Sequence, residues 1–237
     1  ARGRLGPYAD RDTLSHADFK DLGRLDLPCA EVRGVLVDLG ISSYQLDTPE
    51  RGFSYTHEGP LDMRMDRRLK TTAHKVLHTY PEQRLADLFA AYGELDRTRR
   101  LAREIVHLRK LGRLESTSDL RVLVERIYQW RPQRGRIHPA AKAFQALRIE
   151  VNGELDGLGD FIEGTARRLA RGARLVVISF HSLEDRIVKR AFHALAAPDQ
   201  GAPLLAVLTK KPVTPSEAEV AANSRARSAK LRAAERI

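Results

Sequence analysis

The stretch Arg174-Leu-Val-Val-Ile-Ser-Phe-His-Ser-Leu-Glu-Asp-Arg186 decides the fold. Its first seven residues, Arg174 to Phe180, are apolar almost throughout, the pattern of a strand in a parallel sheet covered on both faces. Ser182 with Asp185 then makes a helix cap, and Leu183, Ile187, Val188 and Phe192 form the stripe of the helix that follows. Upstream, Leu155, Leu158, Ile162, Ala166 and Leu169 make another helical stripe, which Gly172 is expected to end. With the strand candidates that follow, the strand–helix–strand alternation predicts a doubly wound α/β sheet.

Further strands are expected outward from this unit. Gly34 to Val37 is a compact apolar run ending on Asp38, bounded by turn residues. Thr13 to Ser15, Leu204 to Thr209 and Ser228 to Ile237 are weaker strand candidates. Between Asp38 and the helix beginning at Pro139 the pattern changes. A long Gly-, Ser-, Asp- and Pro-rich loop, Leu39 to Arg64, precedes a polar helical block. Helices are predicted over Thr71–Tyr80, Glu82–Tyr92 and Thr98–Leu111. Another is predicted after the capping pattern of Ser116 with Asp119. Pro139 suits a first helical turn, with Phe144, Leu147 and Val151 behind it. The domain reading is a sheet domain in two parts, residues 1–60 and 138–237, with an all-helical insertion over 61–137.

The 237 residues carry 41 Lys plus Arg against 31 Asp plus Glu, a net charge of +10 that favours a polyanionic partner. Arg97, Arg99, Arg100, Arg103, Arg109, Lys110 and Arg113 crowd one segment. Arg131, Arg134, Arg136, Lys142 and Arg148 form a second, and Arg225, Arg227, Lys230 and Arg232 a third. Charge runs are usually solvated faces, but three of them raise the expectation of phosphate contacts. The single cysteine, Cys29, excludes an intramolecular disulfide and a multi-cysteine zinc site and reads as a small core residue. No apolar run is long enough to span a bilayer. Ala1 to Tyr8 resemble the tail of a helix rather than a targeting signal. A cytoplasmic location is expected.

Two segments carry candidate chemistry. Asp38, Ser42, Ser43 and Gln45 follow a strand at its carboxyl end, where open α/β sheets bind ligands. His181, Glu184, Asp185 and Arg186 leave the second strand in the same way. A helix cap accounts for Ser182 and Asp185, while position favours function for His181 and Arg186. His74 and His78 stand at a metal-ligand spacing on a helix, but no Cys or carboxylate nearby in sequence completes a set, so no metal site is expected. Gly157-Leu-Gly159 follows a helix and is not a nucleotide fingerprint. Gly-x-Ser-x-Gly is absent, which argues against a hydrolase using His181 and a serine.

The chain resembles the bacterial 16S ribosomal RNA cytosine-N4 methyltransferase family. The resemblance rests on Val37-Asp-Leu-Gly-Ile-Ser-Ser-Tyr-Gln-Leu-Asp47, Arg51-Gly-Phe-Ser-Tyr55, Gly59-Pro-Leu-Asp-Met-Arg-Met-Asp66, His138 to Ile149, Ile178 to Arg190, and Lys211 to Arg232. It implies a class I, Rossmann-like S-adenosylmethionine methyltransferase domain carrying a helical insertion. It places Asp38 and Gln45 on the cofactor, with Phe19 lining the same site. The family opens with a strand, a Gly-rich turn and a second strand. None of these is found in this sequence, so the fold is expected to be incomplete at its N-terminus, beginning just before the third strand.

The implied reaction methylates the N4 amine of a cytosine in 16S ribosomal RNA. Ser42 and Ser43 occupy the loop where other amino-methyltransferases place proton acceptors, an analogy to that class. His181 and Glu184 are second candidates for proton handling. Arg97, Arg100, Arg103, Arg136, Arg225 and Arg227 are the candidate RNA contacts. The expected partners are 16S ribosomal RNA and the small ribosomal subunit, with a homodimer as one arrangement and no membrane. The rival reading is an inactive fragment that only binds RNA.

Overall fold

The protein is described by a computed structural model covering residues 11–24, 31–133 and 136–237. Ala1 to Tyr8, Cys29 and Arg134 lie outside the described residues. The chain forms two compact units, one from Ala1–Gly40 with Leu155–Ile237 and the other from Ile41–Glu154.

The first unit is built on a sheet of β1 (Val32–Asp38), β2 (Leu169–Ser179), β3 (Leu205–Val207) and β4 (Lys230–Arg236), in the order β1-β2-β4-β3. β1 runs parallel to β2, with Val37 opposite Val177 and Asp38 opposite Ile178. β4 runs antiparallel to both β2 and β3. The apolar run predicted as the central strand is therefore β2, hydrogen-bonded on both edges. No strand forms at Thr13 to Ser15. The chain there leads instead into a 3-10 turn, Phe19–Arg24.

Two helices, which we number by chain position as α7 (Leu158–Arg168) and α8 (Ser182–Ala196), cover one face of the sheet. Leu158, Phe161 and Ile162 of α7 and Val188 and Phe192 of α8 share a core with Leu175 and Val177 of β2. Burial on β2 alternates from Ala173 to Ser179, and Leu36 on β1 is 68% exposed. Among the described residues the sheet is thus covered on one face, not on both as its near-continuous apolar run predicts. Gly172 does not end α7, which stops at Arg168. It lies inside β2 with φ +79°, within an irregularity that puts Val32 opposite Leu169 and Gly34 opposite Arg174. A bulge that needs left-handed backbone explains the glycine.

The second unit is helical: α1 (Ser43–Asp47), α2 (Ala73–Thr79), α3 (Glu82–Gly93), α4 (Thr98–Lys110), α5 (Thr117–Tyr128) and α6 (Pro139–Asn152). α3 packs on α4 and α6 around Leu85, Phe89, Leu101, Ile105, Leu120, Phe144 and Leu147. This unit is larger than the insertion expected over 61–137. Phe53, Leu61 and Met63 of the loop before it, and Ala143 and Val151 of α6 after 137, belong to its core. Burial of that apolar area sets the boundary.

The Gly-rich loop is pinned to the helices by its backbone. Gly59 exchanges hydrogen bonds of 2.9 Å with Thr117, and the Thr117 hydroxyl donates to the His57 carbonyl. A Cβ on Gly52 would stand 2.0 Å from the Pro60 carbonyl oxygen, and one on Gly59 would stand 2.0 Å from that of Pro49. Close backbone approach thus accounts for Gly52 and Gly59. The buried Arg51 donates to the carbonyls of Arg64 and Met65.

Candidate cofactor and nucleic-acid sites

Asp38 is the last residue of β1 and is exposed. Among the described residues its carboxylate has no hydrogen-bond or ion-pair partner. It ends a strand that is parallel to β2, so it stands at the sheet edge where ligands bind in α/β folds. In the same unit the Phe19 ring packs edge-to-face on Phe161, with centroids 5.0 Å apart, and is 39% exposed. A free carboxylate can accept from hydroxyl or amine groups, and a half-exposed aromatic ring offers an apolar face. Both fit the polar and aromatic parts of S-adenosylmethionine.

In the helical unit, Ser42 and Gln45 form a capping box at the start of α1. Gln45 Oε1 accepts from the Ser42 backbone at 2.9 Å and from the Ser42 hydroxyl at 3.1 Å. Ser42 Oγ in turn accepts from the Gln45 backbone. Half of the Gln45 side chain is therefore spent on folding, and its Nε2 donors remain available. The Ser42 hydroxyl is likewise engaged. Ser43, exposed in the first turn, makes no side-chain hydrogen bond among the described residues. Beside it Tyr44 is 75% exposed, an aromatic ring held out on a capped helix. Sequence reasoning did not single out Tyr44, because a tyrosine inside a motif reads as packing until its exposure is known.

His181 and Glu184 are placed differently from expectation. The N-cap of α8 is His181, not Ser182, and its box partner is Glu184, not Asp185. Glu184 Oε2 accepts from the backbone of Phe180 at 2.9 Å and of His181 at 3.3 Å. His181 is 8% exposed and Glu184 2%, so both are built into the strand-to-helix turn. Asp185 instead pairs with Arg232 on β4, Oδ1 to Nε 2.6 Å, and Arg186 is exposed. The two registers, His-x-x-Glu and Ser-x-x-Asp, are offset by one residue. Glu184 wins because it satisfies two backbone N–H groups, while Asp185 finds a cation across the sheet.

The basic residues divide the same way. Arg97 donates to the Ile127 carbonyl at 3.0 Å, and Arg109 to those of Leu77 and Tyr80 at 2.9 and 2.8 Å. These two close helix ends. Arg103 lies 3.9 Å from Glu82, and Arg136 donates to Gln133. Arg99, Arg100, Lys110, Arg113 and Arg131 are exposed and make no side-chain bond among the described residues. In the sheet unit Arg225 and Arg227 are exposed on a 3-10 turn, Ser224–Ser228. An open groove between α7 and α8, lined by Gly159, Ile187, Ala191 and Leu195, includes none of the sequence-predicted residues.

A parallel strand pair, helices on the sheet and an antiparallel β4 fit the α/β class of Rossmann-like methyltransferases. The MraW methylase family matches residues 1–237, and the chain belongs to that family. The family uses S-adenosylmethionine. Three relatives are each named ribosomal RNA small subunit methyltransferase H. The one from Sorangium cellulosum is 50% identical over 240 residues, covering 100% of this chain and 73% of the relative. That from Trichodesmium erythraeum is 47% identical, covering 98% of this chain and 78% of its own length. That from Thermobifida fusca is 46% identical, covering 100% and 75%. No helix among the described residues is long and apolar enough to cross a membrane.

Proposed function

We propose that the chain methylates the N4 amine of a cytosine in 16S ribosomal RNA, acting on the small ribosomal subunit in the cytoplasm as a monomer or a homodimer. The match of the whole chain to the MraW methylase family, with relatives named for small-subunit ribosomal RNA, carries this reading.

Bound S-adenosylmethionine supplies an electrophilic methyl group. In the sheet unit the Asp38 carboxylate would hold its polar groups and the Phe19 ring would line the site; Gln45, in the helical unit, would offer its Nε2 amide to the cofactor. An exocyclic cytosine amine is a weak nucleophile, so it must be oriented and relieved of a proton. The Ser43 hydroxyl, exposed and without a side-chain bond among the described residues, accepts a hydrogen bond from the amine and orients it, and the amine proton leaves to solvent as the methyl group is transferred. Ser42 positions it by capping α1. Tyr44 offers a stacking platform for a base taken out of its helix. His181 and Glu184 shape the second strand-end turn rather than exchange protons. Arg99, Arg100, Lys110, Arg113 and Arg131, with Arg103, Arg136, Arg225 and Arg227, neutralise RNA phosphates.

The test is cofactor titration of the 237-residue chain, followed by methyl transfer to unmodified small-subunit RNA with nucleoside analysis. Asp38→Ala should weaken cofactor binding at least tenfold while the fold stays intact. Unchanged affinity would remove Asp38 from the site. RNA binding without cofactor binding or transfer would favour a binding module instead.

A further inference from the structure

The helical unit carries a second cluster that the methyl-transfer chemistry does not use. His74 and His78 stand one turn apart on α2, their rings stacked with centroids 3.8 Å apart. Sequence spacing offered them no third ligand. The fold does: Glu115, just before α5, brings Oε2 to 3.0 Å from His74 Nε2 and Oε1 to 3.3 Å from His78 Nε2. The three ligand atoms lie within 4.8 Å of one another.

The hydrogen bonds fix how the rings are presented. His78 Nδ1 lies 3.0 Å from the His74 carbonyl oxygen, which can only accept. Nδ1 is therefore the donor, and Nε2 of the neutral ring carries its lone pair toward Glu115. That atom is shielded from solvent and makes no hydrogen bond. A lone pair facing a carboxylate oxygen is repelled by it, and either a proton or a metal ion between them removes that repulsion. Two imidazolium rings stacked face to face would repel, and Glu115 supplies one negative charge for both. A backbone carbonyl on Nδ1 that leaves Nε2 to the ion is the usual outer-shell arrangement of a metal-bound histidine.

We infer that His74, His78 and Glu115 form a site for a divalent transition-metal ion of the zinc class. Two imidazoles and one carboxylate suit Zn²⁺, Co²⁺ or Ni²⁺ rather than Mg²⁺ or Ca²⁺. Bonds of about 2.0–2.2 Å require the ligand atoms to close to roughly 3.3 Å from one another. Glu115 is 58% exposed on its side chain and His74 44%, so both have room for that movement. Three protein ligands leave a fourth position for water. The ion would clamp α2 to the turn that opens α5.

Zn²⁺ and Co²⁺ are titrated into the tag-free 237-residue chain, read by calorimetry, visible absorption and thermal unfolding. One equivalent should bind, Co²⁺ should show tetrahedral d–d absorption, and the unfolding midpoint should rise with metal. His78→Ala and Glu115→Gln should each weaken binding at least tenfold without lowering the metal-free midpoint by more than a few degrees. As a check on the unsubstituted chain, Co²⁺ should broaden the His74 and His78 imidazole resonances ahead of those of the other histidines. Absence of binding, binding that both substitutions leave unchanged, or broadening elsewhere would overturn the site and leave a protonated histidine–glutamate ion pair.

Discussion

Asn152, at the C-terminal end of α6, holds Met63 in a left-handed backbone conformation. Met63 has φ +60° and is fully buried. Asn152 Nδ2 donates to the Met63 carbonyl at 2.8 Å, and Oδ1 accepts from the Met65 backbone at 2.7 Å. Left-handed backbone at a non-glycine residue costs on the order of 1–3 kcal/mol and persists where neighbours over-determine it. Asn152→Ala should destabilise the helical unit by about 2–4 kcal/mol, by losing two loop bonds and leaving the Met63 carbonyl and the Met65 N–H without their partner. Urea unfolding followed by far-UV circular dichroism measures it; a loss under 1 kcal/mol would mean that the loop holds itself.

Asp185 and Arg232 join α8 to β4 as a largely buried pair, with side chains 15% and 7% exposed. Removing one partner strands the other. Asp185→Ala is expected to cost about 3–5 kcal/mol, and a double substitution to apolar residues much less. A double-mutant cycle by chemical denaturation decides it, and simple additivity would contradict the coupling.

Tyr44 should matter to RNA and not to the fold. Its ring is exposed, so Tyr44→Ala should shift stability by less than about 0.5 kcal/mol. Loss of one stacking platform should lower RNA affinity by roughly 1–3 kcal/mol, about fivefold to more than a hundredfold. Cofactor affinity should not change. Equal RNA binding by the variant, measured by fluorescence anisotropy, would remove the stacking role.

Tyr128 should be the last tyrosine to ionise. Burial, and next the neighbouring Asp96, push its hydroxyl up to about 12. Its OH donates to the Asp96 carbonyl at 2.7 Å. The folded value lies above the ordinary 10, so the group's contribution to stability is complete below pH 10 and is lost as pH rises toward 12. Ultraviolet titration should show a late phenolate step that disappears in Tyr128→Phe. A late step that survives in the variant would assign it to another tyrosine.

Much of this was legible locally. Apolar runs marked β1, β2, β3 and β4, and helical spacing marked α2 to α8 to within a few residues. Ser116 with Asp119 is the capping box that the sequence predicts. What local pattern misses depends on tertiary partners. The bulge at Gly172 depends on its pairing with β1. The choice between two overlapping caps at α8 was decided by which backbone groups are buried and by Arg232 across the sheet. Thr13 to Ser15 has strand-like residues but no neighbouring strand among the described residues. Glu115 is far from His74 in sequence and beside it in space. The place of Asp38 at an exposed strand end was readable from the apolar run before it, whereas the free or engaged state of each arginine depends on carbonyls that no charge count reveals.

The bonds between Asn152 and the loop at Met63 also bear on the order in which the chain folds. Val37 pairs with Val177 only after the whole helical unit has been traversed. Pairing at such separation is slow, because chain closure precedes any reward from contacts. The helices form from nearby contacts, and the Met63–Asn152 tie then shortens the excursion internally. Each halving of the effective loop spares about 0.6 kcal/mol of closure entropy. Forming the helical unit first would thus shorten the closure that the sheet needs, and weakening that tie should slow refolding of β1 onto β2 as well as lower stability.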